Sequence, residues 1–148
     1  MGEVLAVCIS EVRGTPKHPV QQIHLIPEHG IEGDAHAGNW HRQVSLLAIE
    51  SVEQMQRRVT IALRPGDFAE NILIRGIDLK NLPVGTLLQL GTAQGEVTQI
   101  GKECHADCAI RQQVGDCVMP REGIFLRVLQ EGIVQAGDRI EILKCAAK

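Results

Sequence analysis

Aromatic residues are almost missing from this chain, which has no Tyr, one Trp (Trp40) and two Phe (Phe68 and Phe125) in 148 residues. Proteins that grip single-stranded nucleic acid stack its bases on aromatic side chains, and such platforms are lacking here. A surplus of positive charge is lacking too. Fifteen Lys and Arg stand against eighteen Asp and Glu, a net charge of −3, whereas a nucleic-acid-binding domain is usually basic. No apolar run approaches the ~18 residues that mark a transmembrane helix. The opening MGEVLAVCIS has neither the basic start nor the long apolar core of a secretory signal. It also lacks the Ser or Thr at position six that myristoylation requires. Nucleic acid and membrane are therefore not expected as partners, and a cytoplasmic location is expected.

A hydrophobic fraction of 44% is ordinary for a soluble globule. A chain of this length buries roughly 68–70% of its unfolded surface as one domain. No linker or low-complexity tract interrupts residues 1–148, so a single domain is expected.

The five cysteines are Cys8, Cys104, Cys108, Cys117 and Cys145. In a reducing compartment an odd number reads as free, metal-bound or reactive thiols, not as a disulfide framework. Three of them fall within fourteen residues, in Gly101–Gly123, GKECHADCAIRQQVGDCVMPREG. A thiol acts as nucleophile, metal ligand or sulfur carrier through its thiolate, which nearby cations favour. Lys102, His105, Arg111 and Arg121 are such cations. The spacing Cys-x3-Cys followed by Cys-x8-Cys matches no standard zinc pattern and misses the common iron–sulfur arrangements. A zinc site formed by Cys104, Cys108, Cys117 and His36 or His41 stays open as an alternative. Burial as small hydrophobes is the bland alternative, and it is preferred for Cys8 on its apolar strand.

Alternation and turn residues predict strands at Glu3–Ser10, Gln22–Ile26, Gln43–Leu47, Phe68–Ile74, Thr86–Leu90, Gly95–Ile100 and Gly137–Leu143. Gly14–Pro19 reads as a turn-rich connection. Ile49, Val52, Met55 and Val59 share one helical face and predict a helix over Ile49–Val59, with Glu50 and Glu53 early and Arg57 and Arg58 late. A second helix is predicted at Glu122–Gln130, entered at Pro120 and left at Gly132, with Ile124, Phe125, Val128 and Leu129 as its buried stripe. The fold class is mainly β with a few short helices, and many short strands with frequent Gly turns favour a barrel.

Two further segments can carry chemistry. The loop GIEGDAHAG at Gly30–Gly38, followed by His41 and Arg42, offers histidines for metal or proton transfer, glycines that let backbone N–H groups approach an anion, and the planar guanidinium of Arg42 for phosphate. The bland alternative is a solvated loop. In Pro65-Gly-Asp-Phe-Ala-Glu-Asn71, Asn71 has the donors and acceptor to read a ligand's amide edge, although fixing a turn is the commoner use of such a residue.

Taken in order, GIEGDAHAG…HRQVSLL, PGDFAENI, LPVGTLLQLG and TQIGKECH…C…GDCVMPREGIFLRVL resemble the MOSC domain, named for the C-terminal domain of molybdenum cofactor sulfurases, and within it the small stand-alone prokaryotic members. The resemblance spans residues 1–143. It implies a MOSC-type β-barrel and a molybdenum cofactor (molybdopterin) site. It further implies that Cys104, which follows the Val97–Ile100 strand, carries sulfur as a persulfide or ligates molybdenum, with Cys108 and Cys117 as further catalytic candidates. Arg42, Lys102, Arg121, His36 and Asn71 are the cofactor-binding candidates. Residues 101–127 balance Lys102, Arg111, Arg121 and Arg127 against Glu103, Asp107, Asp116 and Glu122, so the segment has no strong positive patch of its own. Full-length cofactor sulfurases add a pyridoxal-phosphate (PLP) cysteine desulfurase domain. No Schiff-base lysine context is seen here, so any PLP dependence is expected through a separate desulfurase partner, with a molybdoenzyme as recipient. A molybdenum-dependent reductase of N-hydroxylated compounds is the remaining alternative; it would need an external electron donor, because no flavin or iron–sulfur motif is present.

Overall fold

A computed structural model of the chain describes residues 2–12, 17–35, 37–40, 42–57, 60, 62–66, 68, 70–100 and 123–144. Strand β1 (Gly2–Ile9) is followed by three short strands, β2 (His18–Val20), β3 (Gln22–Ile26) and β4 (Gly30–Ile31). Next come β5 (Val44–Ala48), helix α1 (Ile49–Gln56), β6 (Ile72–Arg75) and a 3-10 turn at Leu79–Asn81. The chain continues as β7 (Leu87–Leu90), β8 (Ala93–Ile100), β9 (Ile124–Gln130), β10 (Gly132–Gln135) and β11 (Arg139–Lys144).

Seven strands close into a barrel in the order β1-β11-β7-β8-β9-β5-β6, with β6 returning to β1. Closure leaves no open edge around the barrel wall, which removes the usual hazard of unpaired strand backbone. The seam is short, pairing Gly2 with Ile140 and Glu3 with Arg139. Further along β1, β2 takes over the same edge, pairing Val7 with Val20 and Ile9 with His18. Every barrel pair is antiparallel except β5 with β6, which run parallel and are joined through α1. A second sheet, β10-β3-β4, packs beside the barrel.

The core has two layers because β5 is covered on both faces and all five of its residues are buried. Val44 and Leu46 face the barrel interior with Val4, Ile72, Ile74, Leu88, Leu90, Val97, Leu126 and Ile140. Leu47 faces outward and joins Ala6, Cys8, Leu73 and Phe125 in an outer layer closed by Val52 and Met55 of α1 and by Phe68. Fully burying a Leu or Ile side chain contributes about 1.5–3 kcal/mol, so the interior layer supplies most of the hydrophobic stabilisation.

The predicted barrel is present, and most strands lie where alternation places them. Several local expectations are corrected. Residues 124–130 form β9, not a helix, because β5 and β8 supply backbone partners on both sides. The spacing of Ile124, Phe125, Val128 and Leu129 is helical, and tertiary pairing overrides it. Glu122 and Pro120 lie outside the described residues, and Gly132 opens β10. Helix α1 ends at Gln56 with Arg57 as its cap, while Val59 and Arg58 lie outside the described residues. The strand expected at Phe68–Ile74 begins only at Ile72, because Phe68 lies in a turn whose N–H groups the Glu70 carboxylate accepts. His18 and Pro19, the end of the expected Gly14–Pro19 connection, belong to β2 and pair with β1.

Candidate functional site

Strand directions bring three sequence-distant segments to one end of the barrel. β5 runs parallel to β6 with Leu46 opposite Ile72, and β1 runs antiparallel to β6 with Val7 opposite Ile72. Ser10 after β1, Gln43 before β5 and Asn71 before β6 are therefore neighbours in the fold.

The first feature at this end is a buried ion pair. Lys17 Nζ lies 2.7 Å from Asp34 Oδ1, and both side chains are fully buried. Lys17 Nζ also donates to Ser10 Oγ at 3.2 Å, and Asp34 Oδ1 accepts the Ser10 N–H at 3.1 Å. The Ala35 N–H donates to the Ser10 carbonyl at 2.7 Å. These contacts fasten the Gly30–Gly38 loop to the end of β1. Gly66 completes the fit: its φ is +92°, and a Cβ there would come 2.0 Å from the Lys17 carbonyl oxygen. The Lys17 N–H donates to the Gly66 carbonyl at 2.9 Å. The buried carboxylate of Glu70 then accepts the N–H groups of Gly66 at 3.0 Å and Phe68 at 3.1 Å.

Asn71 forms the second feature. Its Oδ1 accepts the Ser45 N–H at 3.0 Å and the Ser45 hydroxyl lies 3.1 Å from the same oxygen. Its Nδ2 donates to the Cys8 carbonyl at 3.1 Å. Its backbone N–H lies 2.9 Å from Ser45 Oγ, and its carbonyl accepts the Cys8 N–H at 2.7 Å. The residue is 1% exposed. Asn71 thus forms a joint that locks β1, β5 and β6 together, with its carboxamide engaged inside the wall.

Arg42 behaves differently. Its guanidinium carbon lies 4.9 Å from the Trp40 ring centroid and 5.8 Å from that of Phe125. Its Nε is buried and has no hydrogen-bond partner among the described residues. Next to it, Gln43 is fully buried. Gln43 Oε1 accepts the Val128 N–H at 2.9 Å, while its Nε2 has no partner among the described residues. The acceptor bond fixes which end of the amide is which, since only the oxygen can receive an N–H. Buried donors normally find partners, so two adjacent residues with spare N–H groups mark a place suited to an oxygen-rich ligand. Phe125 follows Ile124, which pairs with Ile100, so the cation lies beside the stretch of wall where β8 ends and β9 begins.

The structure thus places Arg42 and Asn71 at one end of the barrel but gives them different surroundings. Cys104, Cys108, Cys117, Lys102, Arg121, His36 and His41 lie outside the described residues. Among the described residues no three His, Cys, Asp or Glu side chains are grouped to hold a metal ion. Lys17, Asp34 and Gln43 are not evident from sequence as site residues, whereas Glu70 belongs to the polar pair expected to fix a turn before β6. Asp34 does sit inside the Gly-rich loop, whereas Lys17 is separated from Asp34 by 17 positions and carries no local signal.

Comparison with known proteins agrees with this architecture. The family model described as the MOSC domain matches residues 33–141. The uncharacterized protein YflK of Bacillus subtilis is 25% identical over 145 residues, covering 91% of this chain. The chain spans 65% of the length of that curated relative. Among solved structures, the YuaD protein of Bacillus subtilis superposes with a TM-score of 0.78 at 19% identity, covering 96% of each chain. YiiM of Geobacillus stearothermophilus gives 0.75 at 18% identity, covering 97% of this chain and 76% of that one. YiiM of Escherichia coli gives 0.70 at 20% identity, covering all of this chain and 72% of that one. No helix among the described residues is long and apolar enough to cross a membrane.

Proposed function

This chain belongs to the MOSC domain family, and on that footing we propose that it binds a molybdenum-cofactor-type pterin ligand and carries sulfur on the thiolate of Cys104. The observation that carries the reading is the state of Arg42. It is a cation stacked on Trp40 and Phe125, with a buried Nε that has no partner among the described residues. Guanidinium groups bind phosphate and other oxyanions through paired, charge-assisted N–H bonds. Gln43 Nε2 adds a neutral donor of the kind that pterin oxygens and ring nitrogens accept. These residues fit an anionic, oxygen-rich ligand better than a bare metal ion, for which donors of this kind offer no coordination.

When bound, the cofactor supplies a molybdenum centre able to accept sulfur. Arg42 holds the ligand's anionic group, Gln43 orients its polar edge, and Trp40 shields the guanidinium from water. Lys102, Arg121 and His36 are proposed as additional ligand contacts, with Cys108 and Cys117 as thiols that accept or pass on sulfur after Cys104. Loading of Cys104 is assigned to a separate PLP-dependent desulfurase. The donor's persulfide S–S bond breaks, a new S–S bond forms at the Cys104 thiolate, and the donor cysteine leaves as a thiolate.

The test uses the full chain produced in cells that make the cofactor, assayed for pterin by fluorescence and for metals by elemental analysis. Retained pterin and molybdenum, lost in Arg42→Ala, are expected. After incubation with a desulfurase and cysteine, the intact mass should gain one sulfur atom, and Cys104→Ser should abolish the gain. Protein that retains no pterin and gains no sulfur contradicts the reading, and stoichiometric zinc resistant to chelation would put structural zinc in its place.

A further inference from the structure

Away from Arg42, an imidazole is caught between two carboxylates. His24, on β3, presents Nδ1 to Glu32 Oε2 at 3.1 Å and Nε2 to Glu131 Oε2 at 2.5 Å. Glu32 follows β4 directly and begins the turn that leads into Gly33 and Asp34. Glu131 is the single residue between β9 and β10. One ring therefore ties together two segments separated by about a hundred positions.

The chemistry of this arrangement follows from proton counts. A carboxylate can only accept hydrogen bonds, and a neutral imidazole has one N–H. Only the imidazolium can donate to Glu32 and Glu131 at once. In the neutral ring, one nitrogen lone pair faces a carboxylate oxygen and that contact becomes repulsive. The carboxylates lie on opposite sides of the ring, one per nitrogen, so the three groups do not converge on a point where a metal ion could sit. β4 has only two paired residues, Leu25 with Ile31 and Ile26 with Gly30. The His24 clamp adds a side-chain tie at Glu32 to the buried Ile31 and the Lys17–Asp34 contacts that hold this segment.

We propose that His24 is a pH-operated latch, pinning the Glu32 end of the Gly30–Gly38 loop and the β9–β10 bridge to β3 while the ring is doubly protonated and releasing one of them when it is not. The proposal does not depend on the cofactor reading. The charged groups that act on the ring are Glu32 and Glu131. β10 places Ile133 opposite His24 in register, β9 contributes Arg127, which is paired with Glu96, and Glu3 of β1 is paired with Arg75. The hydrogen bond to Glu32, then that to Glu131, raises the imidazole above its ordinary value of 6.5. A group raised on folding contributes stability that is complete below its unfolded value and is lost as pH rises through the folded one. Release therefore belongs to the range above pH 6.5. The backbone bond from the Glu32 N–H to the His24 carbonyl, 3.0 Å, persists in both states, so the loop loosens without leaving the sheet.

The experiment is nuclear magnetic resonance of the full chain with labelled histidine, titrated from acid to alkaline pH. Both His24 ring nitrogens should stay protonated past the ordinary midpoint, and Glu32→Gln and Glu131→Gln should each lower that midpoint. Amide exchange across Ile31–Asp34, corrected for intrinsic rates, should accelerate roughly two- to fivefold through the transition, the scale of an exposed ion pair. His24→Gln should abolish that step. An ordinary midpoint that neither Gln variant moves overturns the latch, as does an exchange step that survives in His24→Gln. Should His24→Gln fail to fold, the two Glu variants, which keep the ring, decide the matter.

Discussion

Two sets of polar side chains sit at the same end of the barrel, and their surroundings separate structure from chemistry. Lys17, Asp34, Ser10, Glu70 and Asn71 are buried and bonded within the protein. Arg42 and Gln43 are neighbours of that set yet keep buried N–H groups without partners among the described residues. Burial alone does not distinguish the two sets. What does is whether the donors and acceptors balance. The balanced set fastens the loops that carry the motifs, and the unbalanced pair is where a ligand has something to gain.

This contrast can be broken by mutation, and the largest effect should come from the ion pair. Lys17→Met removes the buried cation that lies 2.7 Å from the Asp34 carboxylate and should lower unfolding stability by about 3–5 kcal/mol in urea titrations. Combining it with Asp34→Leu should recover much of that loss, since an apolar pair carries no desolvation penalty. Asn71→Ala removes the acceptor of the Ser45 N–H and the donor to Cys8, and should cost about 2–4 kcal/mol by the same assay. Glu70→Gln keeps the shape but only one carbonyl acceptor for two N–H groups, and should cost about 1–3 kcal/mol. Arg42→Ala should be mildest, about 0.5–2 kcal/mol, the range of a partly buried cation–π contact, while removing ligand binding. An Arg42 variant as destabilised as the Lys17 variant would erase the distinction between the two sets.

The sequence shows one of these sets more plainly than the other. Strand positions follow from period-2 alternation, as in Leu87–Leu90 and Arg139–Lys144, and barrel closure follows from their number and spacing. Alternation fails where a strand is covered on both faces. Ile124–Leu126 is three buried residues in a row, which reads equally well as a helix stripe until β5 and β8 are known to flank it. The short strands β2 and β4 carry too few residues for any pattern, and pairing alone creates them. Arg42 is visible because a cation after a Gly-rich loop is chemically unusual. The Lys17–Asp34 pair is invisible because nothing local in either turn announces a partner 17 positions away. Asn71 shows how residue type alone leaves a role open: its carboxamide holds three strands together here.

The central claim is that the spare donors of Arg42 serve a pterin ligand and not the fold. The most direct measurement is the pterin content of wild-type and Arg42→Ala protein prepared side by side from cofactor-producing cells, each with its thermal unfolding midpoint. Pterin in the wild type, none in the variant and midpoints within a few degrees of each other is the result this account expects. Equal pterin in both proteins, or none in either, would contradict it.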